Sequence, residues 1–269
     1  MIPLRDNLPT SRFPILTVIL IVINVGFFVW QTQFKPDETE NAVGLGSIDS
    51  SAIEYGAIPY RLTHPGDSDC AIHPGTQTSD IVCGSEVQPT DAPLDQAPWL
   101  VTVFTSMFMH GGILHIAGNM LFLWIFGNNI EDSMGRPRFL LFYLLAGLIA
   151  VYCQSLLAPS STVPTIGASG AVAGVLGGYA LLHPGARVLT LIFIIFFVTV
   201  VEIPAVILLS IWFFLQFLPA LSQSAISDIG GGGIAYVAHV GGFIFGLATI
   251  KLFADRYRRQ EPQTPSLSG

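Results

Sequence analysis

The chain has 269 residues, of which 51% are hydrophobic and only 11% charged, with a net charge of −7 and a mean hydropathy of +0.62. So little charge cannot cover a water-soluble globule of this size, and no strongly basic character is present to hold nucleic acid. No nucleotide motif or cofactor signature occurs, so the expected partners are the lipid bilayer and other membrane proteins, with no nucleic acid and no nucleotide.

Apolar runs predict helices at about 13–30, 100–127, 138–157, 168–183, 205–221 and 234–253, most near the roughly 17 to 25 residues a bilayer crossing needs. The expected fold is therefore an all-α membrane protein, a six-transmembrane-helix bundle with a long extracytoplasmic loop between helices 1 and 2. The first run has no small-residue cleavage site after it and reads as a retained anchor. Residues 31–98 differ in kind, holding 11 of the 18 acidic residues. Cys70 and Cys83 lie in this acidic insert, where an external compartment favours a disulfide. His73 leaves a Cys/His metal site open as the alternative, although the spacing matches no standard zinc pattern. Cys153 lies in the third apolar run and reads as packing.

In the second run His115 and Asn119 are four residues apart and share a helix face. Polar groups in lipid need partners, so that face looks into protein or water, either for interhelical hydrogen bonding or for chemistry. The fourth run opens at Ser169, after a Pro- and Ser-rich loop. A helix N-terminus favours developing negative charge, which suits a nucleophile, although serine is also an ordinary N-cap. Small residues recur every fourth position in Ser169-Ala173-Gly177, Gly170-Gly174-Gly178 and Ala238-Gly242-Gly246, a pattern that lets membrane helices approach closely. Such an approach would bring Ser169 to His239 at the matching end of the sixth run. A histidine in hydrocarbon is expensive and marks a functional site by default.

The 188–203 run is short and ends at Glu202 and Pro204, so it reads as an interfacial or re-entrant segment, leaving six crossings. Nine of the 11 basic residues then fall on one side, among them Arg256, Arg258 and Arg259 of the 256–269 tail. The positive-inside rule places both termini in the cytoplasm. A bacterial plasma (inner) membrane is the expected location, because no long N-terminal import extension is visible. No Asp or Glu lies in the apolar runs near His239, with Asp228 in a loop eleven residues away, so a Ser-His dyad is expected in place of a Ser-His-Asp triad. His239 would be the base, with His115, Asn119 and the Ser169 backbone N–H holding an oxyanion and His110 auxiliary to them.

From Trp99 to about Phe253 the chain resembles the rhomboid family of intramembrane serine proteases. The resemblance rests, in order, on His110 with His115 and Asn119, on Gly127-Asn-Asn-Ile-Glu-Asp132, on Gly167-Ala-Ser-Gly170, and on Ala238-His239 followed by Gly242 and Gly246. It implies a six-helix core, a Ser169–His239 dyad, and cleavage of other membrane proteins in or near their spans, at small residues where the helix is unstable. Two positions depart from the family pattern. Ala173 stands where some relatives place an aromatic against the catalytic histidine, and Trp99 is followed by Leu100 where many carry Arg. Three other classes stay open: a non-catalytic membrane-protein binding or quality-control factor, a transporter, and a metal protease on His110, His115 and His239. For the last, the Glu expected beside a zinc-binding His pair is missing.

Overall fold

A computed structural model describes residues 1–38, 40, 44–73, 81–194, 197–221 and 235–254. Asp228, Ile234 at the expected start of the 234–253 run, and the 256–269 tail lie outside the described residues.

Among the described residues, seven apolar helices form the body of the protein. They are α1 (Ile15–Thr32), the short α4 (Trp99–Thr105), α5 (Ile113–Met134), α6 (Arg136–Leu157), α7 (Ser169–Leu182), α8 (Ala205–Leu221) and α9 (Tyr236–Phe253). α1, α5, α6 and α9 are long and apolar enough to cross a membrane, while α7 and α8 are apolar but shorter. The helix expected over 100–127 is in fact two. The chain leaves helical geometry at Met109–Gly112, where adjacent glycines weaken the helix and the His110 N–H donates to the Gln31 side chain, 2.8 Å away. α5 then continues past 127 to Met134 and stops at Gly135, whose φ is +77°, a conformation that favours glycine.

α7 is the axis of the bundle. Only Ala180, Leu181 and Ser169 of its 14 residues are not buried. At 1.5 Å per residue it is about 21 Å long, well short of a bilayer core of about 30 Å. α9 and α6 flank it through glycine. A Cβ at Gly242 would fall on the Gly170 carbonyl and one at Gly246 on the Gly174 carbonyl, while Gly170 and Gly174 themselves face Ala150 and Ala146 of α6. Gly178 lies against Ile250, its Cβ position 2.8 Å from that side chain. These contacts hold the three backbones at a separation that no larger residue permits, and close van der Waals packing is what drives helix association in lipid.

Two small sheets correct the all-α expectation. In the first, β1 (Ile2–Asp6), β5 (Arg187–Ile194) and β6 (Phe197–Pro204) lie in the order β1-β5-β6. The 188–203 segment is thus an antiparallel hairpin, with Arg187 opposite Pro204 and Leu191 opposite Val200. Its β-branched and aromatic content fits that geometry. The N-terminal strand ties this sheet to the helices, because Asp6 Oδ2 accepts from Asn129 Nδ2 at 2.6 Å and from the Tyr179 hydroxyl at 2.5 Å. Glu131, buried in α5, accepts from the Leu16 and Thr17 backbone N–H groups at 3.1 and 2.8 Å and so caps α1.

The second sheet belongs to the 31–98 insert. Two helices, α2 (Ser47–Tyr55) and α3 (Pro59–Thr63), precede β2 (Cys70–Ile72), β3 (Ile81–Cys83) and β4 (Ala92–Pro93), ordered β3-β2-β4. Cys70 and Cys83 face each other in register and are disulfide-bonded, with Ile53, Ile58 and Ile81 packed around them. His73 Nδ1 lies 2.8 Å from Asp91 Oδ1, and among the described residues no cluster of metal-binding side chains forms.

Candidate active site

Ser169 is the first residue of α7, following Ala168. Its Oγ lies 2.7 Å from His239 Nε2, on the first turn of α9. The Gly170–Gly242 approach is what makes this possible, since His239 precedes Gly242 by three residues and Ser169 precedes Gly170 by one. The Gln154 side chain of α6 accepts from the Ala238 N–H at 3.3 Å, fixing the start of α9 beside the pair. His239 is 8% exposed.

The other ring nitrogen also has a partner. His239 Nδ1 lies 2.8 Å from Gln216 Oε1 on α8. An amide oxygen only accepts, so Nδ1 carries the ring proton and Nε2 presents its lone pair to the Ser169 hydroxyl. The ring of Trp212, one turn earlier on α8, lies 6.0 Å from the His239 ring at 36°. Trp212 thus sets an aromatic ring beside His239, although Ala173 is not one.

His115 and Asn119 share a face of α5, near its start. The Gly111 N–H donates to His115 Nδ1 at 3.3 Å, which leaves the ring proton on Nε2. That nitrogen borders the space around Gly167, whose φ is +126°. A Cβ on Gly167 would lie 2.8 Å from His115 Nε2 and 3.3 Å from Ser169 Oγ, so both atoms edge one small space that only glycine leaves open. The Asn119 Nδ2 is buried and has no hydrogen-bond partner among the described residues. An unpaired buried donor is costly, so a site that keeps one gains when an acceptor arrives. His110 is fully buried, its ring 5.1 Å from that of His115 in an edge-on arrangement.

The loop before Ser169 is held from two sides. The Gly167 N–H donates to the Ser106 carbonyl at 2.8 Å. On the other side Ala57 and Thr165 exchange backbone hydrogen bonds of 3.2 and 2.8 Å, and the Tyr60 N–H donates to Ser161 at 3.0 Å. The insert is therefore built onto the loop that leads into Ser169. Sequence reasoning missed Gln216, Gln154 and Gln31; the available signal was an amide side chain inside or at the end of an apolar run, where polar groups need a reason.

The rhomboid domain family model matches residues 98–256. The chain belongs to the rhomboid family. It is 30% identical over 152 residues to Rhomboid protein 1, mitochondrial, of Saccharomyces cerevisiae, covering 55% of this chain and 40% of that protein. It is 42% identical over 81 residues to Rhomboid protease GluP of Bacillus subtilis, 30% of this chain and 15% of that one. It is 30% identical over 176 residues to Presenilin-associated rhomboid-like protein A, mitochondrial, of Danio rerio, 64% and 43% respectively. This rhomboid thus spans less than half the length of each of these relatives.

Proposed function

We propose that this rhomboid is an intramembrane serine endopeptidase that cuts peptide bonds in or near the transmembrane segments of other membrane proteins. The observation that carries the reading is the 2.7 Å contact between Ser169 Oγ and His239 Nε2, made at a helix N-terminus with His115 Nε2 bordering the same small space. Ser169 Oγ attacks the scissile carbonyl carbon while its proton passes to His239 Nε2. The carbonyl oxygen becomes an oxyanion held by His115 Nε2–H, Asn119 Nδ2–H and the Ser169 backbone N–H, each such donor contributing about 10² to 10³ in rate at comparable sites. Collapse of this intermediate breaks the C–N bond, and His239 gives its proton to the departing amine. A water then attacks the acyl ester, losing a proton to His239, and Ser169 is regenerated as the carboxylate product leaves. No metal or cofactor takes part in these steps.

The substrate class follows from the surroundings. A membrane segment that unwinds locally can present its backbone to a serine set among apolar helices, and glycine in the segment favours unwinding. The names of two relatives place them in mitochondria; a bacterial inner membrane is proposed for this chain, with both termini cytoplasmic on its charge distribution. A fluorophosphonate probe tests the nucleophile directly. Mass mapping of the labelled protein should find the adduct on Ser169 alone, with labelling lost in His239→Ala. Label on another residue, or undiminished labelling in His239→Ala, would overturn the assignment and favour a non-catalytic binding role.

A further inference from the structure

Resting on the protease reading, we infer that Gln216 is the positioning residue of His239, a neutral third member that sets the ring's tautomer and orientation. α8 is apolar along nearly all its length, Ala205–Leu221, and Gln216 is its one amide. Its Oε1 lies 2.8 Å from His239 Nδ1, on the opposite side of the ring from Ser169 Oγ at 2.7 Å. Both ring nitrogens are thereby committed. With the proton held on Nδ1, Nε2 is the basic atom, and it points at the hydroxyl it must deprotonate. Trp212 flanks the same ring 6.0 Å away and itself packs on Phe243, 6.1 Å between centroids. One helix thus supplies both the hydrogen bond and the wall that keep the imidazole from rotating.

The choice of an amide has a physical reason. In soluble serine proteases a buried carboxylate fixes the tautomer and stabilises the imidazolium, but an ionised carboxylate within a membrane bundle is expensive. An amide oxygen performs the orienting part at far smaller desolvation cost. It stabilises the imidazolium through a dipole in place of a charge.

The test separates hydrogen bonding from packing. Gln216→Met keeps length and volume and removes the acceptor; Gln216→Glu keeps an acceptor at the same reach. Purified proteins in proteoliposomes are assayed on a single-span substrate, with Ser169→Ala and His239→Ala as inactive references and thermal midpoints recorded for each. The expected result is that Gln216→Met leaves KM and thermal midpoint unchanged while kcat falls at least about tenfold, a modest loss beside those seen when a triad orienter is changed. Gln216→Glu restores at least half of the wild-type kcat. Wild-type kcat in Gln216→Met, or equal losses in Met and Glu with raised KM, would show that the residue only packs and would overturn the inference. Should Gln216→Met not fold, Gln216→Asn carries the same test, since it keeps the amide and loses the reach. If wild type and Ser169→Ala do not differ, the protease reading itself fails; if they differ and Gln216→Met matches wild type, only the role of Gln216 fails.

Discussion

The chemistry of the site is set by a few atoms whose protons are placed by their neighbours. The Gly111 N–H on His115 Nδ1 puts the His115 proton on the nitrogen that faces Gly167, while Asn119 Nδ2 waits unpaired among the described residues. Asn119→Ala should lower kcat about 10²-fold with little change in KM, because its donor is used in the transition state only; equal losses in kcat and binding would contradict this. Gly167 is more exacting, with a φ of +126° and His115 and Ser169 crowding its missing side chain. Gly167→Ala should abolish cleavage while the protein still folds, as judged by thermal midpoint, since the added methyl fills the space between His115 Nε2 and Ser169 Oγ where the proposed oxyanion would sit. His115, Asn119, Ser169 and His239 were legible in the sequence because histidine, asparagine and serine stand out in apolar runs at helix spacing. Gln216 was not, because nothing in a linear sequence says that α8 turns one amide toward a ring on α9.

Among the elements, α7 and α9 depend on glycine and the insert depends on its staple. Gly246 meets the Gly174 backbone directly, so Gly246→Val should push α9 outward, lengthen the Ser169–His239 contact and remove activity along with several degrees of thermal stability; wild-type activity in that variant would show that the two helices need no close approach. The small-residue rows exposed this contact in the sequence because packing in lipid selects for them. In the insert, the Cys70–Cys83 loop closes 13 residues, and such a crosslink contributes about 3 kcal/mol by restricting the unfolded chain. Because Ala57 of the insert pairs with Thr165 of the loop before Ser169, replacing both cysteines with Ser should reduce cleavage of membrane substrates as well as stability. Retained kcat after verified loss of the disulfide would separate the insert from the site. The hairpin escaped the sequence reading, since an apolar run of 14 residues looks the same whether it is a re-entrant segment or the two strands of a hairpin.

At the scale of the whole molecule, one end carries the Ser169–His239 pair and the other carries the ties that hold the bundle in register. Asp6 joins the N-terminal strand to α5 and α7, and Glu131 caps α1 from α5. Burial holds the Asp6 carboxyl above its ordinary range, opposed in part by the Tyr179 hydrogen bond. A carboxyl raised in the folded state contributes stability below its unfolded pKa and loses it as pH rises through the folded value. The thermal midpoint should therefore decline as pH rises from about 4 towards neutrality, and Asp6→Asn should flatten that decline; an unchanged pH dependence would show that Asp6 is not its source. The number and order of apolar runs made the helical body readable, while the division at Met109–Gly112 depended on Gln31, 79 residues away. Cleavage of a single-span substrate by wild type, Ser169→Ala and His239→Ala in metal-free proteoliposomes tests the central claim most directly. The account predicts cutting within or beside the span by wild type and none by either variant; cutting by Ser169→Ala, or no cutting by wild type across a broad panel of spans, would contradict it.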